Sequence, residues 1–574
     1  MISLTIDGLP VQVEEGATLL DAAARLDIRI PTLCFHPDQN VKANCRICLV
    51  EMEGSKLLVP ACSYPAANGM AIRTHSPKVR RARRNILELI LARHAQDCLH
   101  CDRSGTCELQ AVAQEMHFVK IPRYPFVVRS EELDCSSASV LRNSAKCITC
   151  GRCEYVCAQV QTVHALSKVG RGFEVQFRPV YGRRLGESVC VNCGQCVQAC
   201  PTGALTIQDE TQIVWHTFAD PAKTVIAQVA PAVRVTLAEA LGEPPGSIST
   251  GRMVTAMKRL GFHRVFDTDF TADLTIMEEG TELLGRIKNT GVLPMITSCC
   301  PAWIKFCETF YPEFIPNLST CKSPQAMFGA LLKTYYAEKT GKASADILSV
   351  SVMPCTAKKY EEKRPELGRE GIRDIDAVIS AQELARMIRS AGISFDTLPD
   401  TPFDAPFGLG SGAGEIFGAT GGVMEAALRT VHEIVTGKPL PCLDFMEVRG
   451  LEGIKEATVS IGSIKLKTAV VNGLGNARKI MDLLKQGKAE YHFIEVMACP
   501  GGCIGGAGNP IKENAMMKAR LDAVYKLDKS LPLRKSHDNP AVKALYTEYL
   551  GEPGGHRPHA LLHTVYADRS GLLR

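Results

Sequence analysis

One cysteine pattern constrains this chain more than any other feature. Cys147-x2-Cys150-x2-Cys153-x3-Cys157 recurs as Cys190-x2-Cys193-x2-Cys196-x3-Cys200, with Pro201 following the second run. Each run supplies three closely spaced thiols and a fourth one turn further on. That is a ligand set for an inorganic cluster, and two matching runs leave little room for zinc. The chain has 574 residues and 24 cysteines. Thiols at this density in a long chain that shows no secretory signal point to metal binding and away from a disulfide scaffold. No apolar run reaches the roughly 18–20 residues of a membrane span. The N-terminus, Met1-Ile2-Ser3-Leu4-Thr5-Ile6-Asp7-Gly8, reads as a strand entering a turn, without a basic n-region or a twin-arginine signal. A cytoplasmic location and no membrane partner are expected.

The duplicated run resembles the bacterial two-cluster ferredoxin, in which the fourth cysteine of each run ligates the other cluster. On that pattern Cys147, Cys150, Cys153 and Cys200 hold one cubane, and Cys157, Cys190, Cys193 and Cys196 the second. Upstream, Ser3–Ile6 and Val11–Val13 alternate around Asp7-Gly8, a hairpin signal, and Thr18–Leu26 reads as a short helix. Cys34, Cys45, Cys48 and Cys62 follow, with gaps of x10, x2 and x13. One C-x2-C pair with an outlier on each side suits a planar two-iron cluster, whereas a zinc ribbon pairs two such knuckles. The spacing resembles plant-type ferredoxin with a lengthened first gap. A helical run, Arg80–His94, leads into His94-x3-Cys98-x2-Cys101-x5-Cys107. Taken alone, His94 reads as a surface histidine at a helix end. Three cysteines lacking a fourth favour it as a ligand. The segment resembles the His/Cys3 module of [FeFe] hydrogenases and of the large iron–sulfur subunit of respiratory complex I.

From about residue 211 short apolar runs alternate with helical stretches: Thr224–Val229 with Val233–Leu241, then Val292–Ile296, Ile347–Met353, Ala469–Val471 and Phe493–Met497. This is the βαβ texture of a parallel α/β domain, whose ligands sit beyond the carboxyl ends of strands. Cysteines occupy those positions: Thr297-Ser298-Cys299-Cys300-Pro301, Pro354-Cys355-Thr356-Ala357-Lys358-Lys359, and Cys499-Pro500-Gly501-Gly502-Cys503. Buried structural thiols are the bland alternative. Three cysteine loops at strand ends predict instead that Cys300, Cys355, Cys499 and Cys503 converge on one cubane.

These sets, with Phe417–Met424 and Glu495–Cys503, resemble the signatures of [FeFe], or iron-only, hydrogenases over nearly the whole chain. The resemblance implies an α+β multidomain architecture. A β-grasp [2Fe-2S] ferredoxin-like domain spans 1–78, a His/Cys3 module 79–120, a two-[4Fe-4S] ferredoxin-like domain 121–210, and a two-lobed α/β H-cluster domain 211–574. It implies one [2Fe-2S] and three accessory [4Fe-4S] clusters. It also implies an H-cluster, a cubane joined through a cysteine to a diiron unit carrying CO, cyanide and azadithiolate. Cys300, Cys355 and Cys499 would hold the cubane, and Cys503 would bridge to the diiron unit. Cys299 would be the first proton station, and Glu279, Glu282, Arg286 and Ser319 would match the rest of the route. Without the resemblance, Glu278, Glu279 and Glu282 read equally well as a solvated acidic face of a helix over Asp273–Lys288. Lys358 would donate to a cyanide, and Pro231, Ala232, Gln325, Met353, Phe417 and Met497 would line the diiron unit. Ala230-Pro231-Ala232 carries alanine where some members have serine, which removes a hydroxyl donor.

The implied reaction is 2H+ + 2e− ⇌ H2, served by ferredoxin or a similar low-potential carrier. The alternative is the catalytic subunit of an NAD(P)H-linked or electron-bifurcating complex, with flavin/Fe-S subunits as partners. Both require maturation proteins. A non-catalytic iron–sulfur assembly factor or a sensory hydrogenase fits less well, since Cys299, Glu279, Glu282 and Cys503 are present and no PAS-like appendage is evident. The basic run Lys78–Arg84 reads first as a solvated helix face, and secondly as a docking patch for an acidic carrier. Nucleic acid is not expected, because no aromatic platform accompanies it. Gly473-Leu474-Gly475-Asn476-Ala477-Arg478 lacks the third glycine of a dinucleotide loop. Gly408–Gly421 lacks a P-loop ending and reads as backbone covering the active-site cluster. Cys135, Cys307, Cys321 and Cys442 match no motif.

Overall fold

The computed structural model describes residues 1–118, 124, 133–462, 464–511 and 514–573. Contacts divide them into two units: 1–159 with 164–186 and 199–206, and 160–163 with 187–198 and 207–574.

The first unit opens with the expected hairpin. Ile2–Ile6 pairs antiparallel with Leu9–Val13, and Asp7 and Gly8 both take positive φ at the turn. The five-stranded sheet runs Leu9–Val13, Ile2–Ile6, Ala71–Arg73, Leu49–Met52, Leu58–Pro60. Its inward residues Leu4, Ile6, Val11, Val13, Val50 and Ile72 form a core with the Leu19–Ala24 helix. Thr18 caps that helix through a capping box with Asp21. The helix expected over Arg80–His94 runs Pro77–Leu91. Ser76 caps it and Pro77 occupies its first turn, so it starts and ends earlier than apolar periodicity indicates. His94 consequently lies beyond the helix, in a turn. Within the basic run, Arg80 and Arg81 are exposed, while Arg83 is buried and donates to the Leu49 carbonyl from Nε (3.0 Å) and Nη2 (2.7 Å).

The second unit carries two four-stranded sheets. The first is wholly parallel, in the order Arg264–Asp267, Thr224–Val229, Ile347–Met353, Ala377–Ser380. The second runs Met295–Ile296, Phe493–Met497, Ile464–Asn472, Ile454–Ile461, parallel except for its last hairpin. Each has its own apolar core, one around Val225, Val350 and Ile379 and the other around Met295, Val470 and Phe493. Two expected elements are shorter. Val292–Ile296 pairs only over Met295–Ile296, since Pro294 has no N–H to give a ladder. Val233–Leu241 breaks into a 3-10 turn, Pro231–Val235, and a short helix, Leu237–Ala240, where β-branched Val233, Val235 and Thr236 disfavour a continuous helix. The helix expected over Asp273–Lys288 starts earlier, at Thr268, with Asp267 as its cap. Among the described residues no helix is long and apolar enough to cross a membrane.

Candidate metal centre

The cysteine loops leave both sheets at their carboxyl ends. Cys299 and Cys300 follow Met295–Ile296, and Cys499 follows Phe493–Met497, both in the second sheet. Cys355 follows Ile347–Met353 in the first. Cys300, Cys355, Cys499 and Cys503 all line one cavity, together with Cys299, Pro231, Ala232, Gln325, Met353, Lys358, Phe417 and Met497. Every residue expected to hold or line the central cluster therefore faces the same space.

Local structure explains the convergence. Cys300 is the N-cap of the ten-residue helix Pro301–Phe310, so the positive helix end faces the sulfur and favours an anionic cluster. Its Sγ accepts from the Ala498 N–H at 3.4 Å. Gly502 has φ +86°, and a Cβ there would come within 2.5 Å of the Thr420 N and 3.0 Å of the Met497 Sδ. Only glycine lets the chain turn so closely between Cys499 and Cys503. The buried Glu495 carboxylate accepts from the Gly421 and Met424 N–H groups, both at 2.7 Å. It thereby ties the Phe417 loop to the strand that leads to Cys499. Burial raises the thiol of Cys355, with Cys499, Cys300 and Cys503 adding repulsion, and pushes Cys503 up to about 12. Four mutually repelling sulfurs in an apolar pocket are a poor arrangement for bare thiolates and a good one for a cation-rich cluster.

Lys358 is the cation of this cavity. Burial opposes its charge most strongly, but Glu361, joined by Cys355 and Cys299, leaves its pKa raised. Its Nζ donates to Glu361 Oε2 (2.8 Å) and to the Cys299 carbonyl (3.1 Å). Gln325 Nε2 also donates to Glu361 Oε2 (3.0 Å), while Gln325 Oε1 is buried without a hydrogen-bond partner among the described residues. Glu361 sits three residues beyond Lys358, on the same helical face, and escaped the reading of the sequence.

Glu279 is buried, not part of a solvated face. Burial, then the neighbouring Glu282, push its carboxyl up to about 8, while a Ser319 hydrogen bond partly opposes them. The charge of Glu279 also acts on Cys299, whose thiol is raised first by burial. Ser319 Oγ donates to Glu282 Oε2 (2.8 Å), and Arg286 grips Glu282 Oε1 through Nη2 (2.6 Å) and Nε (3.1 Å). Ser319 and Arg286 thus both hold Glu282, Ser319 also bears on Glu279, and the charge of Glu279 acts on Cys299. Glu278 is buried as well, on Tyr546 and on the Gly554 N–H (2.9 Å).

The reading of Gly408–Gly421 as a cover for the cluster narrows to its second half, where Gly418 packs on the lining Ala232, and Ala419 and Thr420 on the lining Gly502. Phe417 alone of this segment lines the cavity. Gly410 and Gly414 press on Asp269, and Gly412 on Asp528, so these glycines serve buried carboxylates elsewhere in the unit.

Two of the accessory cysteine sets also gather. In the first unit Cys147, Cys150, Cys153 and Cys200 line one small cavity. Cys34, Cys45, Cys48 and Cys62 interact with one another, and hydrogen bonding from Cys45 brings Cys34 down to about 6. His94 is buried, its pKa brought down to about 4 by that burial, and its Nδ1 has no hydrogen-bond partner among the described residues. A neutral imidazole with a bare buried nitrogen fits a metal ligand and not a surface histidine. Nearby, Lys146 hydrogen-bonds Cys101, and Gly203 leaves room for Cys101, whose Sγ would lie 2.6 Å from a Cβ there. Cys157 belongs to the first unit and Cys190, Cys193 and Cys196 to the second. The Cys190–Cys196 loop packs directly on the central ligands. Gln195 Nε2 donates to Cys499 Sγ (3.4 Å), and Thr356 Oγ1 donates to the Asn192 carbonyl (2.9 Å). Gln195 was invisible to motif reading because its role lies in a contact 304 residues away. Cys307 and Cys321 are buried, and Cys135 and Cys442 exposed.

Comparison with known proteins agrees with this geometry. Residues 223–507 match the family "Iron only hydrogenase large subunit, C-terminal domain", and 514–569 match "Iron hydrogenase small subunit". Residues 1–77 match a 2Fe-2S cluster binding domain, 83–121 the NADH-ubiquinone oxidoreductase-G iron-sulfur binding region, and 146–204 a 4Fe-4S dicluster domain. The chain is 48% identical to the NADP-reducing hydrogenase subunit HndD of Solidesulfovibrio fructosivorans, covering 100% of both chains. It is 40% identical to iron hydrogenase 1 of Clostridium pasteurianum, over 99% of this chain and 100% of that one. Among solved structures, an apo [FeFe]-hydrogenase variant from Chlamydomonas reinhardtii aligns with TM-score 0.58 at 45% identity, covering 63% of this chain and 99% of its own. With its cysteine cavity, its accessory-cluster domains and full-length relatives of one kind, this chain belongs to the iron-only, or [FeFe], hydrogenase family.

Proposed function

We propose that the chain interconverts protons, electrons and H2 (2H+ + 2e− ⇌ H2) at the cavity between the two sheets of the second unit. The observation that carries this is the convergence of Cys300, Cys355, Cys499 and Cys503 on one apolar cavity beside a buried acidic chain. The donor set fits an H-cluster: four thiols, a buried Lys358, and the orphaned Gln325 Oε1. Cys300, Cys355 and Cys499 would hold its cubane, and Cys503 would join the cubane to a diiron unit with CO, cyanide and azadithiolate. That group, when bound, supplies the open iron position at which H2 chemistry takes place.

The chain's own residues then have distinct tasks. Lys358, held by Glu361, offers a charge-assisted donor to an anionic ligand of the diiron unit. Pro231, Ala232, Met353, Phe417 and Met497 exclude water from it. Cys299 exchanges protons with Glu279, and Ser319, Glu282 and Arg286 continue the route outward. A carboxyl near pH 8 both holds and releases a proton under working conditions, which an ordinary glutamate does not. In the direction of H2 evolution the protonated form serves as donor. Relay-limited evolution should therefore fall as pH rises through about 8, and Glu279→Gln should abolish that limb together with most of the rate. A pH–rate profile of both proteins checks this. Unchanged profiles would remove Glu279 from the route. Linkage has the matching sign: between about 4.5 and about 8 the folded chain keeps a proton that the unfolded chain has released, so this group's contribution to stability declines as pH rises.

The four-part layout 1–78, 79–120, 121–210 and 211–574, with a β-grasp first domain and a two-lobed last one, is part of this proposal. So are one [2Fe-2S] cluster on Cys34, Cys45, Cys48 and Cys62, and accessory [4Fe-4S] clusters on His94/Cys98/Cys101/Cys107, Cys147/Cys150/Cys153/Cys200 and Cys157/Cys190/Cys193/Cys196. The contact of Gln195 with Cys499 supports the last of these as the electron gateway to the catalytic site. A cytoplasmic location and dependence on maturation proteins belong to the same reading. Ferredoxin or a similar low-potential carrier is the donor we favour. A second reading, a subunit of an NAD(P)H-linked complex, is supported by full-length similarity to a subunit named NADP-reducing hydrogenase. Purification from the source separates the two. A chain that elutes alone and turns over with reduced ferredoxin fits the first. Co-elution with flavin-bearing subunits, and NAD(P)H-dependent activity only in their presence, fits the second.

A further inference from the structure

Cys321 matches no cluster motif, yet it stands at a junction. Its Sγ lies 3.8 Å from Glu282 Oε2, and its backbone bridges to His563 in the C-terminal segment. One ring nitrogen of His563, Nδ1, faces Thr320 Oγ1 at 2.7 Å, and the other, Nε2, faces Glu278 Oε2 at 3.2 Å. One ligating atom from each of Glu282, Cys321 and His563 falls within 4.8 Å of the others. Arg286 holds Glu282 by Oε1 alone, so Oε2 points into this triad with only hydroxyl, thiol and backbone donors upon it.

The surrounding charge favours a cation. Glu278, Glu279 and Glu282 come from one helix, and Arg286 is the guanidinium set against them. A sulfur, an imidazole nitrogen and a carboxylate oxygen form a mixed soft donor set, which suits zinc and not the oxygen-seeking Mg2+ or Ca2+. Zinc needs its sulfur at about 2.3 Å and its nitrogen at about 2.0 Å. The three atoms must therefore close in by roughly 1 Å, within the reach of side-chain rotation. If Nδ1 ligates, the Nε2–H keeps Glu278 as its partner, the carboxylate–histidine–metal arrangement common in zinc sites. The exposed His559 stacks on the His563 ring with centroids 4.8 Å apart.

We propose that Glu282, Cys321 and His563 form a binding site for a zinc-class divalent cation, whose occupancy takes Glu282 out of the proton route. The second half rests on the role given to Glu282 above. Binding forms a metal–sulfur bond, releases the Cys321 thiol proton to solvent, and involves no electron transfer.

The test uses cluster-loaded holoenzyme and ZnCl2 under anaerobic conditions. Zinc X-ray absorption at one equivalent should show one sulfur with nitrogen and oxygen ligands. Cys321→Ser should lose the sulfur scatterer. His563→Gln should weaken zinc binding by at least the roughly 10–100-fold that follows loss of even an outer-shell partner. Both variants should keep the zinc-free H2 rate. Zinc should slow the parent, reversibly with EDTA, at concentrations that leave both variants unaffected. Equal zinc affinity in the parent and both variants, or unchanged sulfur scattering in Cys321→Ser, would overturn the site. Zinc seated at these three residues without loss of turnover would uphold the site and remove Glu282 from the proton route.

Discussion

Cys299→Ala should retain the iron content of the parent and lose its turnover. Cys299 lines the central cavity but is not among the four sulfurs assigned to the cluster, so its removal deletes no ligand. What it deletes is a thiol of the cavity wall on which the charge of Glu279 acts. Positioned proton transfer contributes about 10²–10⁴ in rate. A loss of that order is expected in H2 evolution and in uptake alike, since both directions use the same route. Serine at 299 has a hydroxyl of far higher pKa and should rescue little. Iron analysis alongside gas chromatography checks both halves. A variant that evolves H2 at the parent rate would show that protons reach the site by another way.

Cys503→Ala should be more severe, for a different reason. Cys503 faces the cavity at the start of a tight turn, its carbonyl anchored by Asn509 Nδ2 at 3.0 Å. The turn is held by backbone, so alanine should leave it intact while removing the sulfur proposed to join the two halves of the cluster. Turnover should fall by at least about 10³-fold, equivalent to more than about 4 kcal/mol of barrier. The accessory clusters proposed for the first unit should keep their electron paramagnetic resonance signals, since Cys503 is assigned to none of them. Substantial activity in Cys503→Ala would move the bridging role elsewhere.

Cysteine spacing carried most of what could be read in advance. Short-range ligand sets such as Cys147-x2-Cys150-x2-Cys153 are written into consecutive loop residues, so their partners follow from local geometry. The strand-end positions of Cys300, Cys355 and Cys499 were legible for a similar reason, because an apolar run followed by a cysteine loop marks both element and terminus. Pairing between strands was not. Thr224–Val229 and Phe493–Met497 look alike as apolar runs, yet they belong to different sheets, and only contacts across hundreds of residues decide this. The same limit hid Gln195 and the Cys321–His563 junction. Glu278 and Glu279 show the converse. An acidic stretch reads as solvated until the C-terminal segment, with Tyr546 and His563, closes over it. Gly410, Gly412 and Gly414 did signal close approach, but the partners they approach, Asp269 and Asp528, carry no mark in the sequence.

Infrared spectroscopy of the chain co-produced with hydrogenase maturation proteins bears most directly on the central assignment. Sulfurs 300, 355, 499 and 503 gathered on a complete H-cluster should give CO and cyanide stretching bands, a region where protein and simple iron–sulfur clusters are silent. Active, fully iron-loaded protein without those bands would contradict it.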